Sequence, residues 1–417
     1  MSPKPPRLPL LSTLLTFFGM LTQLGSAGCD RPVSLPAGLA WDDPPPATYI
    51  AQPRLGVTNN GSDTLAMVSV DSLDSPRLLG AVHVGNNPIE LEGPHHLARS
   101  PDGQFIYFNL SNYVVNGGSG PHGAHGTGTV PGYLVKLDVR TGRPLAQVLV
   151  DRSPGDVIVS PDGRLVFVSH YDLARLQQQL TKGGPEETGY SSVFIIDAQT
   201  LQVLAQPSVC PTAHGMGLSP DATRLYVTCS QSDELAILDI RSPAQPQVSK
   251  LKVGPAPGPA GNPAYAPYAL AVHPDGTVWV SDNQSGDVRA YDPVKGQMDP
   301  ARVVKVGGIA MFSDFTPDGK YLLVPHQGDE RVTAIELATL MTTTLPLPQA
   351  RCLNAHALHV LPGPPAGAVV VCEGDHVTKP GAILFLDLPP ALAGWSVHGS
   401  LDLGLFPDGV ISLPPLP

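Results

Sequence analysis

The sequence predicts an all-β fold, a seven-bladed β-propeller with four-stranded blades whose ring is closed by strands from both ends of the chain. Three observations predict it: a phrase repeated along the chain, an acid-ended strand after each copy, and two chain ends that complement one another. The phrase reads SPDGQFIYF from Ser100, SPDGRLVFV from Ser160, SPDATRLYV from Ser219, HPDGTVWV from His273 and TPDGKYLLV from Thr316. Degenerate copies follow at Leu361 (LPGPPAGAVVV) and Leu413 (LPP).

Each copy joins a short apolar strand, a Pro-Asp-Gly turn and an alternating strand. Proline presets φ early in such a turn, and glycine accepts its left-handed position. A third strand ending in an acid comes next: YLVKLD, VFIIDA, LAILDI, VRAYDP, VTAIEL and ILFLDL. A Val/Leu-rich fourth strand completes each unit. Four strands per unit, with units about 43 to 60 residues apart, is the pattern of propeller blades. Residues 49–85 hold a second, third and fourth strand with no first strand before them, and GLFPDGVISLPP (404–415) holds a first strand with nothing after it. Joined, they make the seventh blade, and the pairing covers an otherwise exposed edge.

Ahead of the propeller, Lys4 and Arg7 precede the apolar run LPLLSTLLTFFGMLTQL, which reads as a signal peptide over residues 1–28. Gly25-Ser26-Ala27-Gly28-Cys29 offers either lipidation of Cys29 or plain cleavage after Ala27. Residues 29–47 are a Pro-rich tether, and 48–417 the propeller. The expected location is the periplasm or outer envelope, with membrane contact only through a lipid on Cys29. Without Lys4 and Arg7 the chain carries 23 basic against 36 acidic side chains, and no basic block is present to neutralise phosphates. Nucleic acid is therefore excluded as a partner. A small-molecule ligand or an envelope protein is expected instead, bound by a monomeric ring.

The segments VTNNGSDTLAMVSVD (from Val57), VTCSQSDELAILDI (from Val227) and VSDNQSGDVRAYDP (from Val280) resemble the YVTN-repeat (YncE-like) propellers of exported bacterial proteins. The resemblance covers about residues 49–413. It implies the fold and is nearly silent on function, because related propellers bind, scaffold or catalyse.

The long insertions, 110–132 and 171–191, both follow second strands, and 252–266 and 86–93 join blade to blade. All lie on one face, which marks it as the working face. Of the 13 histidines, nine map there: His95, His96, His122, His125, His170, His214, His326, His356 and His376. His83, His273, His359 and His398 lie in strands or the opposite turns. Five residues before the first residue of each turn phrase stand His95, Gly155, His214, Tyr268, Met311, His356 and Asp408. Innermost strands ring the axis, so His95, His214, His356 and Asp408 converge there as candidate metal ligands. His170 and His326 lie one layer outward and, with Asp156, are candidates to orient them. Imidazoles with one carboxylate suit Zn, Cu, Fe or Ni, not Ca or Mg. The alternative is that these histidines hydrogen-bond to water and backbone in a wet channel. His122 and His125 read as part of a Gly-rich loop, and Glu186-Glu187 and Asp42-Asp43 as solvated pairs.

CPTAH (210–214) matches CLNAH (352–356), and each is followed by a second strand ending in Cys. The repeat predicts disulfides Cys210–Cys229 and Cys352–Cys372, with thiolate metal ligation as the alternative. No GxSxG, HExxH, P-loop, dinucleotide fingerprint or CxxCH appears. Three functions remain open: a binding or scaffolding propeller of the cell envelope, a metal-dependent redox or hydrolytic enzyme centred on the axial histidines, and a lactonase-like hydrolase.

Overall fold

A computed structural model describes residues 33–34, 50–86, 91–111 and 127–416. The signal peptide, Cys29, His122 and His125 lie outside the described residues. Seven antiparallel sheets form the blades of the propeller. Their innermost strands are Pro94–Arg99, Pro154–Val159, Ala213–Leu218, Pro267–Val272, the split pair Ile309–Ala310 and Asp314–Phe315, Ala355–Val360, and Pro407–Leu413. They are numbered here as blades one to seven.

Each inner sheet is covered on both faces by its neighbours, so its strands are apolar on both faces rather than on alternate residues only. The strand Ala382–Asp387 (AILFLD) is buried at five of its six positions. One of its faces, Ile383 and Phe385, packs with Leu55, Val57, Ala66 and Val68 of blade seven. The other, Leu384 and Leu386, packs with Leu323, Val332 and Ala334 of blade five. Full burial of each such side chain stabilises by about 1.5–3 kcal/mol.

The ring closes as the chain ends predict. Pro407–Leu413 pairs with Arg54–Asn59, with Arg54 opposite Leu413 and Asn59 opposite Pro407. Arg54 is buried, and its Nη1 donates to the carbonyls of Ile50, Gln52 and Pro414 at 3.1, 3.1 and 3.2 Å, binding both ends together.

The repeated turn has a side-chain clasp. Ser100 Oγ donates to Asp102 Oδ1 at 2.5 Å, and Ser160, Ser219 and Thr316 make the same bond at 2.5, 2.6 and 2.8 Å. The closing glycines Gly103, Gly163 and Gly319 have φ of 70°, 72° and 67°. In blade three Ala222 takes that conformation with φ of 52°, at a steric cost glycine avoids.

A second device links blades. The Asp63 carboxylate, after a second strand, accepts N–H groups of Glu92 and Gly93 just before the next innermost strand. Asp233 does so for Gly258, Ala264, Tyr265 and Ala266, and Glu330 for Asn354 and Ala355. These carboxylates fix where His95, Tyr268 and His356 begin their strands.

Two features were not foreseen. The insertion 171–191 contains a helix, Leu173–Lys182, whose N-cap Asp172 accepts from Arg175 N at 2.8 Å. Val33–Ser34, inside the expected tether, pairs with Ala146 and Gln147 as a fifth strand on blade one. Among the described residues no helix is long and apolar enough to cross a membrane.

Candidate metal centre

The innermost strands do not run as regular strands at their starts. The register with the second strand shifts between Pro94 and Leu97, Ala213 and Met216, Pro267 and Ala269, and Ala355 and Ala357. A bulge of this kind aims two successive side chains to the same side. Its carbonyls are held from the preceding blade: Thr58 Oγ1 donates to His95 O, Asn109 Nδ2 to Gly155 O at 2.6 Å, Ser169 Oγ to His214 O at 2.6 Å, and Thr228 Oγ1 to Tyr268 O at 2.8 Å. The Thr of the VTNN and VTCS phrases thus builds the site of the blade that follows.

The axis is consequently lined by two adjacent tiers. The first is the predicted ring containing His95, His214, His356 and Asp408, all buried. The second, one residue on, contains His96 and Asp156. Asp408 Oδ2 lies 2.8 Å from His95 Nε2, and Asp408 Oδ1 lies 2.8 Å from His356 Nδ1 and 3.5 Å from His96 Nε2. The rings of His95 and His214 are 6.0 Å apart, with His96 4.5 Å from His95 and 5.8 Å from both His214 and His356. Two overlapping ligand sets result, His95–His96–His214 and His96–His356–Asp408, each with its donor atoms within 4.8 Å of one another.

His96 belongs to both sets, yet counting a single position per blade leaves it out. Regular alternation would turn it away from the axis; only the bulge turns it inward. The doubled HH of GPHHLARS is the one signal the sequence carries.

The imidazoles are oriented by what holds their other nitrogen. His95 Nδ1 lies 3.4 Å from Pro154 O, His214 Nδ1 3.3 Å from Tyr268 O, and His96 Nδ1 3.1 Å from Asp156 Oδ1. That directs three Nε2 atoms to the axis, as carbonyl and carboxylate partners do in metal sites. Asp156 is itself held by the N–H groups of Val157 and Met216, both at 2.8 Å. Tyr268 stacks on His214 at 4.2 Å, and Met311 is buried beside Tyr171 and Tyr268.

Burial pushes the His95 imidazole below its usual value, against the pull of Asp408. Burial also opposes charge on His356, but the Asp408 and Glu373 carboxylates outweigh it and hold His356 above its usual value. Asp408, whose burial alone would raise it, is held well below the carboxylate range by His95 and His356. Both shifts favour charge on His356 and Asp408, whose Nδ1 and Oδ1 lie 2.8 Å apart.

Glu373, which sequence reading did not single out, is fully buried with Oε1 3.6 Å from His356 Nδ1. Its Oε2 accepts from Gln327 Nε2 at 2.9 Å and lies 2.5 Å from His376 Nε2. It stands one residue after a second strand, the repeat position that also holds Tyr171, Ser230 and, as the last residue of its strand, Gln327.

His170 and His326 face other partners. His170 Nδ1 donates to Ser192 O at 2.9 Å, and His326 Nε2 lies 2.9 Å from Thr333 Oγ1. Neither contributes to the two ligand sets. Both occupy the repeat position that holds Cys229 and Cys372 in blades three and six. Burial holds each at about 4. The unfolded chain, near 6.5, takes up these protons first, so stability is present above pH 6.5 and lost as pH falls toward 4. Each contributes roughly 3 kcal/mol over that window. Thermal melts should show this fall and His170→Gln should reduce it; a flat profile would refute the assignment.

The disulfides are Cys210–Cys229 and Cys352–Cys372. Each ties the segment before a first-tier histidine to its own second strand. Closing loops of 19 and 20 residues stabilises by about 3 kcal/mol apiece.

A cavity of about 530 Å³ begins at His96, Asp156 and Phe312 and runs toward Pro101 and Pro161, beside the Pro-Asp-Gly turns. The centre therefore meets open space from the turn face, opposite the face that carries the long insertions. Phe312 forms a wall there, its ring 4.5 Å from His96 and 5.2 Å from His356.

A model described as the SMP-30/Gluconolactonase/LRE-like region matches residues 123–312, less than half of the chain. No curated protein sequence matches. Similar solved structures include a protein from Lactobacillus plantarum, 17% identical over 87% of this chain and 99% of that one, with a TM-score of 0.64. The periplasmic gluconolactonase of Pseudomonas aeruginosa is 17% identical over 87% and 99%, with a TM-score of 0.62. Hydrazine synthase of Kuenenia stuttgartiensis is 21% identical over 74% and 81%, with a TM-score of 0.55. At such identities the structures show a shared fold alone, and that fold is the β-propeller.

Proposed function

We propose that this chain is a transition-metal-binding propeller of the cell envelope, holding zinc, copper or iron at its axis through His95, His96, His214, His356 and Asp408. One observation carries the reading: four imidazoles and a carboxylate from four blades form two buried triads that share His96, each with its donor atoms at ligand-set spacing. His95 and His214 pair with backbone through Nδ1, as His170 does, but together with His96 they also turn three Nε2 atoms toward one another. The imidazole-rich set fits late transition metals and not calcium or magnesium. A bound ion would supply Lewis acidity; the chain's own groups hold and orient it, through Pro154 O, Tyr268 O and Asp156.

Metal analysis of the full chain after exposure to zinc, copper and iron tests it. About one equivalent is expected in the wild type. The triple change His95→Ala, His214→Ala, His356→Ala, verified as folded by circular dichroism, should lose it. Equal and negligible metal in both would overturn the reading.

The two disulfides support an oxidising compartment outside the cytoplasm. A signal peptide over 1–28 and a lipid on Cys29 complete this proposal, and the mass of the mature N-terminus decides between lipidation and plain cleavage. The bound partner is a small ligand or an envelope protein.

A second reading, hydrolysis of a lactone, is favoured by the match of residues 123–312 to the gluconolactonase-containing model. The cavity ending on His96 would receive the substrate. Acid release from gluconolactone by zinc-loaded protein, abolished by His96→Ala, would establish it; no turnover would leave the binding reading.

A further inference from the structure

The metal centre is enclosed on the axis, which raises the question of how an ion reaches it. His95, His356 and Asp408 have side chains no more than 1% exposed, whereas His96 and Asp156 retain 7% and 10%. These last two line the inner end of the turn-face cavity. The same cavity carries a second carboxylate–imidazole pair further out. Asp314 Oδ2 and His359 Nδ1 lie 3.5 Å apart, with side chains 37% and 27% exposed.

Their placement follows from the repeat. Two residues before each turn phrase stand Ala98, Ile158, Gly217, Ala271, Asp314, His359 and Ile411. Five of these seven line the cavity, so this position forms an outer tier facing the axis. Five of the seven are apolar or glycine; the two that can bind a metal ion are in adjacent blades and touch. Both are held. Asp314 accepts from Phe315 N at 2.8 Å and Val360 N at 2.9 Å, and His359 Nε2 lies 2.8 Å from Ser412 Oγ, which leaves Nδ1 facing Asp314. Arg99, the cation at this rim, has its Nη1 bonded to the carbonyls of Ser100 and Pro101. Two residues of strand separate the outer tier from the tier of His96, roughly 7 Å.

We propose that the turn-face cavity is the route by which a divalent transition-metal cation enters the centre, with Asp314 and His359 as a transit site that passes it to Asp156 and His96. This rests on the metal-binding reading. One carboxylate and one imidazole capture the same metals as the centre, but two ligands hold them weakly enough to release. The acidic balance of the chain, 36 acidic to 25 basic residues, draws cations toward it.

The test is the rate of Zn²⁺ uptake by metal-free full-length protein, followed by competition with a fluorescent zinc indicator. Ile411→Trp fills the outer tier without replacing a proposed ligand, and Asp314→Asn removes the transit carboxylate with little change of shape. Uptake is expected to slow at least about fivefold in each, in the range over which steering changes association rates. Zinc bound at saturation by Ile411→Trp should equal that of the wild type. Wild-type rates in both folded variants would overturn the route. Loss of saturation binding in folded Asp314→Asn would make Asp314 part of the centre and overturn its transit role. A wild type that takes up no zinc overturns the metal reading itself, and the route with it.

Discussion

Asp408→Asn should weaken zinc binding by roughly 100-fold or more, beyond the loss typical of a partner that merely supports a ligand. Asp408 is fully buried and bridges two imidazoles, His95 and His356, at 2.8 Å each. The amide keeps the shape but loses the charge, and its nitrogen donates where the carboxylate accepted. His356, whose charged form Asp408 favours against burial, would then keep Glu373 as its carboxylate neighbour. Breaking a buried pair on one side costs about 3–5 kcal/mol. The metal-free variant should therefore also unfold at lower temperature than the wild type. Calorimetric zinc titration and thermal melts measure both effects. Zinc affinity within threefold of the wild type, in a folded variant, would remove Asp408 from the ligand set.

The same residue shows how much of the site the sequence discloses. Asp408 sits in a degenerate seventh repeat, after Phe406 and Pro407, and only alignment with the other turn phrases gives it a position on the axis. That alignment works because a propeller converts an equal offset within each repeat into an equal height on one axis. It places His95, His214 and His356 correctly for the same reason. It omits His96, because a one-position offset assumes regular alternation and the bulge breaks it. It omits Glu373 and His359, which lie at other offsets: one after the second strand, the other two before the turn. Both could be reached by repeating the count at every offset. The disulfides were legible because Cys210 and Cys352, and Cys229 and Cys372, share positions in their repeats. The helix Leu173–Lys182 was legible in principle, through Leu173, Leu176 and Leu180 at helical spacing behind the capping Asp172. It is short and polar, and the β-repeats on both sides outweigh so brief a signal. His170 and His326 share their offset with the cysteines, and the local partners Ser192 and Thr333, which no pattern announces, determine where their rings point.

Removing residues 404–417 should abolish the folded state outright. The segment supplies the innermost strand of blade seven, so its loss opens the edge of Arg54–Asn59 along the whole register from Leu413 to Pro407. It removes Phe406, Leu413 and Leu416, all buried, at about 1.5–3 kcal/mol each. It also takes Pro414 O from the buried Arg54 guanidinium and Asp408 from His95 and His356. These losses together approach the 5–15 kcal/mol that stabilises a typical domain. A ring has no partial closure to fall back on: blades one and six, each packed against this strand, lose a neighbour at once. The truncated chain should show no cooperative thermal transition and should aggregate through the exposed edge. A soluble truncated protein with a cooperative melt near the wild-type temperature would show that the ring does not depend on its terminal strand. Adding a synthetic peptide of residues 404–417 during refolding separates the two contributions of that strand. Recovery of the melt by this peptide, and of zinc binding only when position 408 is Asp rather than Asn, would assign closure to the backbone and metal retention to one side chain.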